Sequence, residues 1–122
     1  MQEYYYTKNK DDFMGSENRK VKKHDCKQQL RDQCKHIADD ITKGEGDVHE
    51  WMKDVYDIEW ITFKDHSYKS ARLLVAGGGP NIWVNLQTNT VDGYWWGDHC
   101  KVPFTDNLGL DEYLEELHAS SK

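Results

Sequence analysis

Apolar residues recur at steps of three or four positions along the segment that begins at Asp25. They are Cys26, Leu30, Cys34, Ile37 and Ile41. This spacing places them on one side of an α-helix with about 3.6 residues per turn, and Gly44 and Gly46 predict its end. A second helix is predicted directly afterwards, since Asp47 and Glu50 have the spacing of a capping box. Its apolar side carries Val48, Trp51, Met52 and Val55.

From residue 57 onward apolar and polar residues alternate, which is the pattern of half-buried β-strands. We predict four strands, over residues 57–64, 70–76, 81–87 and 90–96. Their short connections favour antiparallel neighbours, because a parallel crossover needs about a dozen residues or more. A final helix is predicted near residues 110–119, where one side carries Leu110, Tyr113, Leu114 and Leu117.

These elements predict an α+β fold with two N-terminal helices, a four-stranded antiparallel sheet (a meander) and a C-terminal helix. We place all of them in a single α+β domain, residues 24–122. Residues 1–23 show no sustained hydrophobic period, and we interpret them as a flexible N-terminal arm. The length of 122 residues fits one such domain with one core.

The net charge of −6 is distributed unevenly along the chain. Residues 1–24 carry six Lys or Arg against four Asp or Glu, whereas residues 57–122 carry five against ten. An acidic domain is poorly suited to direct nucleic-acid binding and suits a basic protein partner, although acidity often serves solubility alone. Three cysteines and no apolar run of about 20 residues predict reduced thiols in a cytoplasmic protein without a membrane span.

Residues 81–96 hold three of the five tryptophans and predict a hairpin with a two-residue turn at residues 88–89. This turn places Leu86 opposite Val91. The face of the hairpin that is predicted to join the core carries Ile82, Val84, Leu86, Val91 and Trp95. The other face mixes polar residues with Trp83, Tyr94 and Trp96, which is a composition typical of protein-binding surfaces. The alternative is that a helix covers this face and its rings belong to the core.

Several stretches contain residue types that could carry chemistry, but each has a simpler structural explanation. Residues 77–80 (GGGP) lack the Lys-Ser/Thr of a phosphate-binding loop and predict a turn. Asp98, His99 and Cys100 are adjacent, so in an extended segment the His and Cys side chains point to opposite faces and cannot act together. No His or Cys pair has zinc-ligand spacing. We therefore predict no catalytic residue, no metal site and no cofactor.

The stretch GGGPNIWVN, the later VDGYWWGD and the acidic C-terminal helix resemble small acidic anti-defence proteins carried by phages and mobile elements of Firmicutes. That group includes anti-CRISPR inhibitors of type II CRISPR effector nucleases. The resemblance implies a non-enzymatic inhibitor in the cytoplasm of the host bacterial cell. Such a protein would block a basic nuclease sterically and electrostatically, although the basic N-terminal arm differs from a pure nucleic-acid mimic.

Together with the hairpin analysis, the resemblance predicts the residues that contact the partner. They are Trp83, Tyr94, Trp96, Asp92, Asp98, Asp111, Glu112, Glu115 and Glu116. Two other functions stay open. One is a small nucleotide- or signal-molecule-binding (sequestering) protein or a small enzyme, with glycines and aromatic residues lining a pocket. The other is an RNA- or DNA-binding module, which the net charge of −6 opposes.

Overall fold

A computed structural model describes residues 15–120 of the chain, with side chains described from residue 27 onward. The order is helix α1 (Gly15–Lys43), helix α2 (Val48–Met52), strands β1 (Asp57–Thr62), β2 (Tyr68–Ala76), β3 (Asn81–Asn85), β4 (Thr90–Trp95) and β5 (Asp98–Pro103), and helix α3 (Leu110–Ser120). The predicted α+β class, with an antiparallel sheet and a C-terminal helix, is confirmed. Helix α1 begins within the predicted arm, and residues 1–14 of that arm lie outside the described residues.

The five strands form one antiparallel meander in the order β1-β2-β3-β4-β5. The predicted number of four strands is therefore corrected to five, because β5 was missed. Strand β5 follows β4 after a two-residue turn at Trp96 and Gly97, whose φ angles of 53° and 82° match a type I′ turn. Positive φ at a tryptophan is uncommon, so this residue pair gives little turn signal in the sequence.

The turn between β3 and β4 differs from the predicted one by two residues. Val84 pairs with Val91, whereas the predicted register paired Leu86 with Val91. Strand β3 ends at Asn85 because its Oδ1 accepts hydrogen bonds from the second and third backbone N–H groups after it, at 2.9 and 3.3 Å. A shift of two residues keeps every side chain on its predicted face. The buried residues of this hairpin accordingly include Ile82, Val84, Leu86 and Val91.

The core lies between the helices and one face of the sheet. Helix α1 contributes four buried residues, which are Leu30, Cys34, Ala38 and Ile41. The predicted stripe is confirmed at three of these positions, Ile37 is half-buried, and the side chain of Cys26 lies outside the described ones. Each fully buried leucine, isoleucine or valine stabilises the fold by about 1.5–3 kcal/mol.

Gly93 on β4 allows α1 to approach the sheet closely. A Cβ atom at this position would lie 2.5 Å from Cys34 Sγ and 2.9 Å from Leu30 Cδ1. Both distances are far below van der Waals contact, so a larger residue fits only if the helix or these core side chains move. The small residue on β4 therefore sets the spacing between the two layers.

Helix α1 ends where the glycines predict. Gly44 has a φ angle of 66°, and a Cβ there would lie 2.5 Å from the carbonyl oxygen of Asn107. The Asn107 side-chain amide donates a hydrogen bond of 2.6 Å to the carbonyl of Thr42 in the last turn. The end of α1 is thus tied to the loop that precedes α3.

Helices α2 and α3 differ in length and in how their N-termini are capped. Helix α2 is only five residues long, and Asp47 occupies its N-cap position without a side-chain cap hydrogen bond, so the predicted capping box does not form. Helix α3 buries Leu110 and Leu114, as predicted. Its N-terminus is capped by Asp106, which accepts hydrogen bonds from three consecutive backbone N–H groups at 2.9–3.0 Å. No helix within residues 15–120 is long and apolar enough to cross a membrane.

Candidate functional site

Helices α1 and α3 pack on the same face of the sheet around a shared core. None of the helices within residues 15–120 packs on the opposite face, which we call the open face. Strand pairing arranges its side chains in three rows. The first row holds Asp57, Leu74, Trp83, Asp92 and Lys101. The second holds Glu59, Arg72, Asn85 and Thr90, and the third holds Asn81, Tyr94 and His99.

Trp83 lies near the centre of the open face and is half-buried there. The guanidinium carbon of Arg72 sits 4.4 Å from the centre of its ring, which is a cation–π contact. Arg72 also donates a hydrogen bond of 2.7 Å to the carboxylate of Glu59 on the neighbouring strand. One part of the indole is thus covered by the protein's own guanidinium. Arg72 and Glu59 were missed by the sequence analysis, because their placement beside Trp83 depends on the β2–β3 register.

Asp92 was predicted to contact a partner, but its side chain is buried, with only 2% of the residue exposed. Its carboxylate accepts a hydrogen bond of 2.7 Å from the hydroxyl of Thr90 and lies 3.8 Å from the ammonium of Lys101. A buried carboxylate is stable only with such partners. We therefore correct its assignment: Asp92 is a buried carboxylate that pairs with Thr90 and Lys101, and it presents almost no surface for a partner to contact.

The aromatic residues of the β4–β5 hairpin are the most exposed part of the site. Tyr94 is 41% exposed, and its ring stacks on the imidazole of His99 with centroids 5.6 Å apart and an angle of 11° between the planes. Trp96 is 79% exposed, in the turn and not in the strand where it was predicted. This change of place follows from the turn, which begins at the residue predicted to end the strand, so β4 stops one residue earlier, at Trp95.

A pocket of about 250 Å³ lies at this end of the sheet. It is lined by two glycines of the adjoining turns and by Asn81, Tyr94, Trp95, Trp96, Asp98 and His99. We call it the hairpin pocket. Its lining includes three residues that the sequence predicted as contacts, Tyr94, Trp96 and Asp98. By strand alternation Asp98 lies on the helix-covered face with Cys100, whereas Tyr94 lies on the open face. Asn81 and His99 are additions that only the strand pairing shows.

The acidic residues of α3 are not part of this site. Helix α3 packs on β2 on the opposite, helix-covered face of the sheet. Glu112, Glu115 and Glu116 are exposed there, and Asp111 accepts a hydrogen bond of 2.7 Å from the hydroxyl of Tyr68. Burial and this hydrogen bond raise the pKa of Tyr68 well above its ordinary value. The predicted aromatic and α3 acidic contacts therefore lie on two separate surfaces.

No match was found. Comparison of the chain with protein-family models, with curated proteins and with solved structures yields no similar protein.

The His99-Cys100 pair does not form a nucleophilic site. His99 is exposed on the open face, whereas Cys100 is buried on the core side, 3.2 Å from the sulfur of Cys34. Burial, together with the neighbouring Cys100 thiol, raises the pKa of the Cys34 thiol well above its ordinary value. Its thiolate, the reactive form, is therefore disfavoured. Within the described residues, no three His, Cys, Asp or Glu side chains are grouped as metal ligands.

A second, polar cavity of about 440 Å³ lies beside the N-terminus of α3. Its lining includes Lys69, Ser70, Gln87, Asn89 and Asp111. The hydroxyl of Ser70 is buried and has no hydrogen-bond partner among the residues that the structure describes. An unsatisfied buried hydroxyl costs about 1–3 kcal/mol, so a bound water or a polar ligand group would stabilise this position.

Proposed function

We propose that the protein is a non-enzymatic binding protein that docks the open face and the β4–β5 hairpin onto a basic protein partner. The observation that carries this proposal is the exposure of Tyr94 and Trp96 beside an open sheet face that no described helix covers. Exposed tyrosine and tryptophan among polar residues are typical of the centre of protein interfaces. Exposed apolar residues that adjoin one another mark interaction sites, whereas single scattered ones do not.

The partner we propose is a bacterial defence nuclease, namely a type II CRISPR effector, which the protein inhibits by steric and electrostatic blockade. The sequence resemblance and the net charge of −6 support this choice, since such nucleases carry basic channels for nucleic acid. Because the acidic side of α3 faces away from the aromatic residues, we assign the two surfaces different tasks. The aromatic hairpin makes the close contacts, and the α3 carboxylates steer the approach at longer range.

Size-exclusion chromatography and a cleavage assay with guide-loaded type II effector nuclease test this function on one mixture. We expect co-elution and loss of target DNA cleavage. The double variant Tyr94→Ala/Trp96→Ala should weaken binding at least about 10-fold, as expected for residues at the centre of an interface. Tyr56→Ala is the matched control, because Tyr56 is 74% exposed but lies outside the site. Separate peaks with full cleavage would overturn the proposed partner.

Electrostatic steering by the α3 carboxylates has a separate test. Replacing Glu112, Glu115 and Glu116 together by glutamine should slow association and reduce the dependence of binding on salt, while dissociation stays nearly unchanged. Stopped-flow association at several ionic strengths measures these rates. A complex whose association rate is the same at low and high salt would refute electrostatic steering.

The polar cavity beside α3 favours one alternative, a protein that sequesters a small polar molecule. Its volume of about 440 Å³ lies within the range of about 300–1,000 Å³ of small-molecule sites. The unpartnered Ser70 hydroxyl supplies a polar group for such a ligand. A thermal-shift screen with nucleotides tests the alternative, since a ligand of the folded state must raise the Tm. A ligand that loses its effect in Ser70→Ala, with no nuclease binding, would favour this function.

A further inference from the structure

Two of the three cysteines meet in the core, although they come from different elements. Cys34 lies on α1 and Cys100 lies on β5, 66 residues later in the chain, and their sulfur atoms are 3.2 Å apart. Both are free thiols. The sulfur atoms of a disulfide are about 2.0 Å apart, so these two need to approach by only about 1.2 Å to bond. The fold thus brings two distant thiols almost to bonding distance.

Gly93 leaves open the space that the two sulfur atoms occupy. It pairs with Cys100 on the neighbouring strand. A Cβ atom at Gly93 would lie 2.5 Å from Cys34 Sγ and 3.3 Å from Cys100 Sγ. Both sulfur atoms therefore lie where a side chain of β4 would otherwise be. The absence of that side chain allows a cysteine on the helix to reach a cysteine on the next strand.

The third cysteine, Cys26, cannot bond to Cys34 while α1 is intact. It lies eight residues earlier on the same helix, which is about 12 Å along the helix axis. A disulfide requires Cα atoms within about 7 Å of each other. Oxidation of Cys34 in the folded protein is therefore directed to Cys100.

We propose that Cys34 and Cys100 form a disulfide under oxidising conditions, and that this bond locks α1 onto the sheet. The oxidant we propose is a low-molecular-weight disulfide such as oxidised glutathione. Where the glutathione pool is reduced, the pair stays as two thiols. The bond lies on the helix-covered face and leaves the open face unchanged, so the inference does not depend on the proposed function.

The disulfide forms by two successive thiol–disulfide exchanges. Cys100 reacts first, because it is 8% exposed whereas Cys34 is fully buried. Its thiolate attacks one sulfur of oxidised glutathione, forms a mixed disulfide and releases one glutathione thiolate. The Cys34 thiolate then attacks the Cys100 sulfur and releases the second glutathione thiolate. Two electrons pass from the two cysteines to glutathione, and the two cysteine protons pass through water to the released thiolates.

Burial of the two thiols controls how fast this exchange occurs. Oxidised glutathione is too large to reach them in the closed core, so the reaction requires a local opening of α1 from the sheet. The raised pKa of Cys34 further disfavours its thiolate until that opening occurs. We therefore expect slow oxidation of the folded protein, and faster oxidation in urea below the unfolding transition.

Incubation of the full chain with oxidised glutathione, followed by alkylation of the remaining thiols and mass spectrometry, tests the disulfide. We expect a loss of two hydrogens, with only one of the three cysteines alkylated. A non-reduced digest should contain the Cys34 peptide joined to the Cys100 peptide. Cys26→Ser is the matched control and should oxidise like wild type, whereas Cys100→Ser should form no intramolecular disulfide.

Three results of this experiment would overturn the inference. All three thiols stay open to alkylation, or glutathione adds to a cysteine and is not displaced, or the linked peptide contains Cys26. Each of them would show that Cys34 and Cys100 do not react as a pair.

The Tm of the oxidised wild type tests whether the bond fits the fold, without relying on any variant. A cross-link between residues 66 positions apart mainly restricts the unfolded chain. We expect the Tm to rise by roughly 10 °C or more on oxidation, and to return to its starting value with dithiothreitol. An unchanged or lower Tm would refute the inference, because the bond would then strain the packing that it is proposed to lock.

Discussion

Gly93 provides the sharpest test of how the two layers of this fold are held. A methyl group added by Gly93→Ala would lie 2.5 Å from Cys34 Sγ, 2.9 Å from Leu30 Cδ1 and 3.3 Å from Cys100 Sγ. All three neighbours are buried, so they have little room to turn away. The variant therefore forces α1 away from β4, or forces core side chains out of their preferred rotamers.

The expected loss of stability follows from two opposing effects. Overpacking of a filled core costs about 1–3 kcal/mol. Loss of glycine's freedom in the unfolded chain returns about 0.4–1 kcal/mol, because Gly93 does not have a positive φ angle that an alanine would resist. The packing cost is the larger effect, so we expect the free energy of unfolding to fall by about 1–2 kcal/mol. Urea denaturation followed by tryptophan fluorescence measures this loss in the free energy of unfolding. In a thermal melt, the same loss should lower the Tm by several degrees.

A double-mutant cycle with Cys34→Ala shows whether the loss arises from the predicted contact. Removing the sulfur makes room for the methyl group, so the double variant should be more stable than the sum of the single effects predicts, by about 1 kcal/mol. Gly79→Ala is the matched control, since a Cβ there has no atom within 4 Å. Wild-type stability of Gly93→Ala, or strict additivity in the cycle, would refute this account of the helix–sheet spacing.

Three further predictions concern single side chains. Asp106→Ala should lower the free energy of unfolding by about 1–2 kcal/mol in urea denaturation, because the backbone N–H groups of Gly109, Leu110 and Asp111 at the start of α3 lose their acceptor. Because the pKa of Cys34 is raised in the folded state, unfolding releases its proton above the ordinary thiol pKa of about 8.5. Stability should therefore fall by about 1.4 kcal/mol per pH unit there, and equilibrium unfolding of Cys34→Ala should show a smaller fall; identical pH profiles would contradict it. Trp96→Ala should change the Tm by no more than a few degrees, since its side chain is 79% exposed; a larger loss would mean that the ring belongs to the core.

Much of the fold could be predicted because the spacing of hydrophobic residues identifies the buried side of a helix or strand even when its predicted register is displaced by two residues. The α1 and α3 stripes follow from spacing alone, and both are buried against the sheet. The β3–β4 hairpin shows the same robustness: the predicted register is displaced by two residues, yet the residues that pair within the two strands stay on their predicted faces. An error of one residue would have exchanged the core and the open face.

Pairing between side chains could not be predicted in the same way. Asp92 was expected to be a surface charge, because a carboxylate in a mixed strand usually faces water. Its burial depends on Lys101, which belongs to β5, the strand that the sequence analysis missed. The contact between Arg72 and Trp83 likewise depends on β2 lying beside β3. Predicting such contacts requires the register between strands, and not only the hydrophobic period of each strand.

The hairpin pocket depends on a local feature that the sequence signals weakly. Two positive φ angles at Trp96 and Gly97 reverse the chain within two residues and bring β5 back along β4. That reversal places His99 opposite Tyr94 and leaves Trp96 at the turn, next to both. With a longer loop, the same residues would be spread apart and the rings would not enclose a pocket. The tight turn thus accounts for both the missed strand and the exposed position of Trp96 beside Tyr94, so its geometry links the fold to the proposed function.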